Sequence, residues 1–199
     1  MNKPVLEIPL PKGKFAVYSS KPDFIYKNVK QIHSNFVVDE NLANGITEAD
    51  GIVSNTKTPL CTFTADCLPL IIEGKNGHAI LHAGWKGVRD QILLHEKVKA
   101  LIPETLLIGP HIHQAQYEVQ PDFKANFPQS NAFSEQNGKL FFSLAKEIIQ
   151  QAKTNYPNIK IIDANVCTFL DNKLHSFRRN KTTERNYNIY IPDGGNFEN

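Results

Sequence analysis

The chain has 199 residues, 41% of them hydrophobic and 21% charged, so we expect one ordinary globular domain spanning residues 1–199. Lysine and arginine outnumber aspartate and glutamate by 22 to 20, a net charge of +2, which is too small to indicate a nucleic-acid or membrane partner. Three cysteines, an odd set without the spacing of a secreted disulfide domain, indicate reduced thiols in a cytoplasmic protein.

Short apolar segments bounded by glycine, proline and asparagine predict β-strands. In chain order they are residues 15–18, 62–64, 68–72, 78–83, 106–108 and 159–166, with 188–191 closing the sheet. Apolar residues at helical spacing predict helices over 91–101 and 140–152, and the polar stretch 121–138 predicts a surface excursion. Because the strands do not alternate regularly with helices, we expect an α+β single domain with a mixed, largely antiparallel β-sheet core flanked by helices.

The predicted strands 68–72 and 78–83 flank the segment 73–77, which contains two glycines and an Asn-Gly pair. This segment predicts an antiparallel hairpin. If Ile72 pairs with Gly77, Cys67 lies directly opposite His82. A shift of one residue would place these two side chains on opposite faces of the sheet, unless a bulge restores the geometry. His82 also stands next to Gly84, where a turn can open a pocket.

Two imidazoles and one thiol, those of His33, Cys67 and His82, have the chemistry of zinc ligands. Zinc binds nitrogen and sulfur tetrahedrally, and three protein ligands leave a fourth position for water or substrate, which is the catalytic pattern. His33 lies 34 positions before Cys67, so only tertiary structure can bring it to the site. The ordinary alternative is two core histidines bonded to carbonyls and a small buried cysteine.

Short motifs occur in a distinctive order: Gln-Ile-His-Ser at 31–34, Ala-Asp-Gly at 49–51, Thr-Ala-Asp-Cys-Leu-Pro at 64–69, His-Ala-Gly-Trp-Lys-Gly at 82–87, Gly-Pro at 109–110, Tyr-Glu-Val at 117–119, Cys-Thr at 167–168 and Ser-Phe-Arg-Arg at 176–179. Together they resemble the multicopper polyphenol oxidoreductase (laccase-type) family. Members of that family are also described as purine nucleoside phosphorylases with adenosine deaminase activity, and as peptidoglycan editing factors.

The resemblance implies that His33, Cys67 and His82 are the ligands of one catalytic zinc ion, with copper as the alternative. It implies an enzyme acting on purine nucleosides, by phosphorolysis of adenosine or inosine, by deamination of adenosine, or both. The small-molecule partners would then be a purine nucleoside and phosphate, with the chain a monomer or weak homo-oligomer.

Other residues are candidates for roles around this centre. Cys67 itself, Asp66 and Glu118 are the catalytic candidates, and either carboxylate is suited to moving protons. Asp66 equally suits capping a turn. The cations Lys86, Arg178 and Arg179 are candidates to bind substrate phosphate, although a run of charge is more often a solvated face.

The chain departs from the family pattern in ways that we expect to affect substrate choice. Ser34 and Glu184 replace glycines, Lys86 replaces an arginine, and the residues before Gln31 are fewer than in the family. Alternatives to the zinc enzyme are a metal-free hydrolase with Cys67 as nucleophile, a peptidoglycan-precursor editing enzyme, a copper phenol oxidase and a non-catalytic metal-binding protein.

Overall fold

The computed structural model describes residues 3–195. The strands are β1 (Leu6–Leu10), β2 (Gly13–Tyr18), β3 (Val37–Asp39), β4 (Gly51–Ser54), β5 (Leu60–Thr64), β6 (Leu68–Gly74), β7 (Gly77–Ala83), β8 (Pro103–Ile108), β9 (Glu118–Val119), β10 (Phe133–Gln136), β11 (Lys139–Phe142), β12 (Lys160–Asp163) and β13 (Asn186–Pro192). The α-helices are α1 (Trp85–Arg89), α2 (Glu96–Ala100), α3 (Leu144–Asn155) and α4 (Phe177–Asn180). Short 3₁₀ helices cover Glu40–Leu42, Ile92–Leu94, Gln114–Gln116 and Pro121–Asn126.

Three sheets form the scaffold. The six-stranded sheet has the order β12-β8-β6-β7-β4-β3, and the four-stranded sheet has the order β1-β2-β13-β5. Strands β10, β11 and β9 form a small third sheet. The pairs β12/β8 and β3/β4 are parallel and the other pairs are antiparallel. The predicted α+β class with a mixed, largely antiparallel sheet is confirmed.

The six-stranded sheet is buried on both faces because its central strands alternate between two hydrophobic clusters. Leu70 and Ile72 of β6 pack in the cluster that includes the helices, whereas Ile71, between them, packs with Phe15 and Tyr190 of the four-stranded sheet. Successive side chains of a strand point to opposite faces, so this alternation follows from the extended backbone. Over residues 3–195, no helix combines the length and the apolar composition needed to cross a membrane.

The β6–β7 hairpin has a different register from the predicted one. Gly74 pairs with Gly77, which leaves a two-residue turn and places Pro69, not Cys67, opposite His82. These strand ends require glycine because neighbouring backbone approaches them closely: a Cβ on Gly77 would lie 2.3 Å from the Ser54 carbonyl oxygen. The register differs from the prediction by two residues, so the side chains of Cys67 and His82 still share a face.

The predicted helices are shorter than expected. Residues 91–101 form a 3₁₀ turn and α2, separated at His95, where the backbone is extended and a ring nitrogen accepts from the Lys97 amide. Residues 139–142 form β11, and α3 begins only after Ser143, whose hydroxyl caps the helix by accepting from the Lys146 amide.

Two further boundaries differ from the sequence prediction. The predicted strand 159–166 is limited to Lys160–Asp163. The predicted surface excursion 121–138 contains a 3₁₀ helix and strand β10, and it buries Phe127 and Ala132 in the core. The Phe127 ring packs against Phe142 of β11, with centroids 4.6 Å apart, so its burial depends on a contact outside this segment.

The buried carboxylate of Glu73 joins the six-stranded and four-stranded sheets. It lies at the end of β6 that is distant from Cys67. Glu73 Oε1 accepts from the Lys12 amide at 3.0 Å and from the Tyr190 hydroxyl at 2.8 Å. Burial raises the pKa of Glu73, and these hydrogen bonds only partly offset that effect. Glu73 is fully buried, and it is the acceptor for the Lys12 amide, whereas the Tyr190 hydroxyl also lies 3.1 Å from the Lys12 carbonyl.

Replacing Glu73 with alanine is expected to destabilise the fold by about 2 kcal/mol, because the Tyr190 hydroxyl and the Lys12 amide lose a buried acceptor. Glu73→Gln keeps an acceptor oxygen and should cost less. Urea unfolding measures both free energies. Glu104→Ala, which removes an exposed ion pair with Lys12, is the control and should change stability by less than about 1 kcal/mol. A Glu73→Ala variant as stable as the control would contradict this role.

Candidate metal centre

The structure brings together the three predicted ligands. One side-chain ligand atom from each of His33, Cys67 and His82 lies within 4.8 Å of the others. The two imidazole rings stand nearly perpendicular, with centroids 4.7 Å apart. His82 is buried, Cys67 is half-buried and His33 is exposed, so the group forms the wall of an open site. Their ligation of a metal stays a prediction.

Each ligand comes from a different segment of the chain. His82 lies in β7 and Cys67 immediately precedes β6, so the hairpin supplies two of them. His33 lies on the loop before β3 and adopts a left-handed backbone with φ of 58°. Asp66, next to Cys67, also has positive φ, at 98°. Such conformations are strained for residues other than glycine, and surrounding contacts must hold them.

Asp50 is the residue that holds the centre in place, and the sequence reasoning gave it no role. Its buried carboxylate accepts from His82 Nδ1 at 2.7 Å and from the His33 amide at 3.0 Å. The amide and the hydroxyl of Ser34 donate to Oδ2 at 2.6 and 2.7 Å. With Nδ1 engaged, His82 presents Nε2 to the site, the arrangement typical of metal-binding histidines. The Ala-Asp-Gly motif at 49–51 was the available sequence signal.

The charges in the centre favour a thiolate. Burial raises the pKa of Cys67, but the neighbouring His82 and His33 outweigh it and lower that pKa to about 6. Burial lowers the pKa of His82, yet Cys67 and Asp50 raise it to about 9. Burial also opposes ionisation of Asp50, but hydrogen bonds from His82 and Ser34 lower its pKa overall. The deprotonated thiol is the form that binds metals and acts as a nucleophile.

Gly84 leaves the space in which the ligands meet. A Cβ at this position would lie 3.1 Å from Cδ2 of His33 and 3.3 Å from Sγ of Cys67. Its backbone, with φ of −71° and ψ of 170°, is accessible to any residue. Glycine is therefore needed here for space, and not for conformational freedom.

A cavity of about 710 Å³ opens beside the three ligands. Its lining combines aromatic, polar and charged side chains: Gln31, Phe63, Thr64, Ala65, Phe177, Thr183, Glu184, Arg185 and Tyr187, with His33, Cys67 and His82. This volume suits a small organic molecule. Phe177 and Arg185 were not assigned to the site by the sequence, because no local pattern places them beside Cys67.

Asp66 has both carboxylate oxygens engaged. Oδ1 accepts from the Thr168 hydroxyl and Oδ2 from the Arg178 amide, each at 2.7 Å. The second contact holds the first turn of α4, which favours the capping role over the catalytic one. Proton transfer by Asp66 stays a prediction.

The remaining candidates lie outside this cavity. Glu118 and Arg178 line a neighbouring cleft of about 670 Å³, where the Arg178 guanidinium lies 5.0 Å from the Tyr117 ring centroid. Arg179 donates to the carbonyls of residues 168, 169, 171 and 174, which supports a loop. Lys86 is exposed, 5.7 Å from the Trp85 ring centroid. Their predicted catalytic and phosphate-binding roles stay predictions.

Gly84→Ala is expected to weaken zinc binding on the order of tenfold or more, because the added methyl group separates the His33 and Cys67 side chains. The fold should be retained, since the backbone at this position accepts alanine. Competition with a zinc-responsive chelating dye measures the affinity, and circular dichroism checks the fold. A folded variant that binds zinc as tightly as the parent would contradict the observed convergence of the ligands.

Comparisons with known proteins place the chain among enzymes of one family. The sequence is 37% identical over 145 residues to a purine nucleoside phosphorylase of Aquifex aeolicus, covering 69% of this chain and 68% of that protein. It is 32% identical to a purine nucleoside phosphorylase of Clostridium acetobutylicum, covering 90% of this chain and 84% of the relative.

Solved structures share the fold. A Neisseria meningitidis protein superposes with a TM-score of 0.72 at 28% identity, covering 82% of this chain and 73% of that one. A Bacillus licheniformis protein described as hypothetical superposes with a TM-score of 0.71 at 20% identity, covering 84% and 74% of the two chains. A family model described as multi-copper polyphenol oxidoreductase laccase matches residues 18–191, and the chain belongs to that family.

Proposed function

We propose that this chain is a zinc-dependent phosphorylase of purine nucleosides, with His33, Cys67 and His82 holding the ion. The observation that supports this most directly is the meeting of their ligand atoms within 4.8 Å at the wall of an open cavity of about 710 Å³. Two relatives named purine nucleoside phosphorylase support the substrate class.

The donor set fits zinc. Catalytic zinc sites use three protein ligands drawn from histidine, cysteine and carboxylate, and the thiol must be deprotonated. Cys67, with a pKa of about 6, meets this condition at neutral pH. When bound, zinc would act as a Lewis acid and lower the pKa of water to about 7.

Copper shares the preference for imidazole and thiolate and is the alternative ion. Laccase-type oxidation, however, normally needs several copper ions and correspondingly more ligands. Within residues 3–195 the three-residue group at Cys67 is the one cluster of suitable side chains. The donor set therefore favours a single-ion enzyme over a multicopper oxidase.

Phosphorolysis sets requirements that the cavity can meet. An oxygen of phosphate forms a bond to C1′ of the ribose, the bond from C1′ to N9 breaks, and the purine leaves with the electron pair. The protein must therefore hold an anion beside the sugar. Arg185 lines the cavity, and its Nη1 donates to the carbonyls of Thr182 and Glu184. We assign the phosphate to the remaining N–H groups of this guanidinium.

Purified protein is expected to release free purine base from inosine or adenosine only when phosphate is present, and His82→Ala should abolish this turnover because it removes a ligand. Chromatography of the products measures the reaction. Phosphate-independent conversion of adenosine to inosine would contradict phosphorolysis and indicate deamination. Absence of any turnover would contradict the proposed function and would favour peptidoglycan precursors as the substrates.

A metal-free hydrolase is the second candidate, favoured by the lowered pKa of Cys67 beside His82. Treatment with a chelator separates the two proposals. The zinc enzyme should lose activity and regain it when zinc is returned, whereas a hydrolase with Cys67 as nucleophile would keep its activity without metal.

Arg185→Gln is expected to raise the KM for phosphate roughly tenfold or more, because a charge-assisted contact with the anion is lost. The KM for the nucleoside should change little. Initial-rate kinetics with each substrate varied in turn measure the two constants. Lys99→Gln, which removes an exposed cation on α2 away from the cavity, is the control and should leave both constants unchanged. Equal effects of the Arg185 and Lys99 substitutions would contradict the assignment.

A further inference from the structure

The side-chain amide of Gln31, two residues before His33, is bound to the edge of strand β5. Its Nε2 donates to the Phe63 carbonyl at 2.8 Å, and its Oε1 accepts from the Phe63 amide at 2.7 Å. The Thr62 hydroxyl also donates to Oε1, at 3.1 Å. One side-chain amide thus satisfies both main-chain groups of Phe63, as a residue of a neighbouring strand would.

This contact completes the edge of the four-stranded sheet. Strand β5 is the last strand of that sheet, so the main-chain groups on its outer side need other partners. The amide and carbonyl of Lys27 bond to main-chain groups of residues 59 and 61, at 2.9 and 2.8 Å. Three residues further on, the main chain pairs with another segment, and the side chain of Gln31 takes its place at Phe63. The amide therefore fixes where the loop that follows leaves the four-stranded sheet.

The loop that carries His33 is held at its other side by Asp50. The carboxylate of Asp50 accepts from the amides of residues 32–34, and Asp50 immediately precedes β4 of the six-stranded sheet. His33 is exposed and has a left-handed backbone with φ of 58°, which surrounding contacts must maintain. The loop thus spans the two large sheets, with Gln31 as its attachment to one and Asp50 as its attachment to the other.

We infer that Gln31 is a positioning residue for the metal centre, and that its amide, bound to the edge of β5, keeps His33 within reach of Cys67 and His82. This rests on the metal ligation in the proposed function. Cys67 and His82 belong to one hairpin and do not depend on this attachment. Loss of the Gln31 contacts frees the beginning of the loop, so His33 can withdraw from the other two ligands. Groups that orient metal ligands change metal affinity by about 10- to 100-fold when they are removed.

Zinc affinity in Gln31→Ala and Gln31→Met, measured by competition with a chelating dye, tests this role. Methionine keeps the length of the side chain but lacks the amide, so it separates the hydrogen bonds from packing. Both variants should bind zinc roughly tenfold or more weakly than the parent. Gln114→Ala is the matched control, because Gln114 Nε2 donates to the Ala132 carbonyl at 2.8 Å outside the cavity. It should leave zinc affinity unchanged.

Titration with Co²⁺ supplies a readout that a purely structural role would not change. Cobalt bound in place of zinc absorbs visible light, and its bands depend on the ligands and their geometry. In Gln31→Ala the thiolate-to-cobalt band from Cys67 should remain, whereas the visible bands should shift to those of His33→Ala. Gln114→Ala should give the spectrum of the parent. Circular dichroism checks the fold of each variant.

The outcomes separate this inference from the proposed function. A folded Gln31→Met variant with the zinc affinity and cobalt spectrum of the parent would overturn the inference and leave the proposed function standing. Failure of both Gln31 variants to fold, with Gln114→Ala folded, would show a general structural role and would also overturn it. If His33→Ala binds both metals as the parent does, His33 is not a ligand, and the metal centre of the proposed function fails together with the inference.

Discussion

The candidate metal centre depends on the buried carboxylate of Asp50. Isolating an ionised carboxylate from water is costly unless hydrogen bonds compensate. Here the donors are the His82 ring and groups of residues 32–34. The same contacts fasten the His33 loop to β4 and β7 and orient the His82 ring. One buried charge thus positions two prospective ligands that are far apart in sequence.

The third ligand, Cys67, is held through its neighbour. Asp66 has a left-handed backbone with φ of 98°, and its carboxylate accepts from the Thr168 hydroxyl and the Arg178 amide. These contacts offset the strain at the turn into β6. They also anchor α4, a single turn that brings Phe177 to the cavity. Cys67 and the aromatic wall are therefore positioned by one contact network.

The cations of the C-terminal part of the chain differ in their surroundings. Arg179 supports a loop through four carbonyls, and Arg178 lies on Tyr117 in the neighbouring cleft. Arg185 instead lines the cavity beside Cys67. The motif that contains Arg178 and Arg179 thus makes structural contacts, whereas Arg185, which follows it in the chain, lines the cavity.

The sequence by itself predicted seven of the thirteen strands in residues 3–195, because apolar runs bounded by turn residues are local features. It also identified the prospective ligands, through short motifs that carry imidazole and thiol groups. It also predicted that Cys67 and His82 share a face, and this survived a two-residue error in register because strand side chains repeat every two residues. Only the tertiary structure brought His33 to the site, engaged Asp66 with Thr168 and Arg178, and placed Arg185 in the cavity. Those outcomes depend on contacts between segments far apart in the chain, where backbone approach and buried hydrogen bonds select one arrangement that no local pattern records.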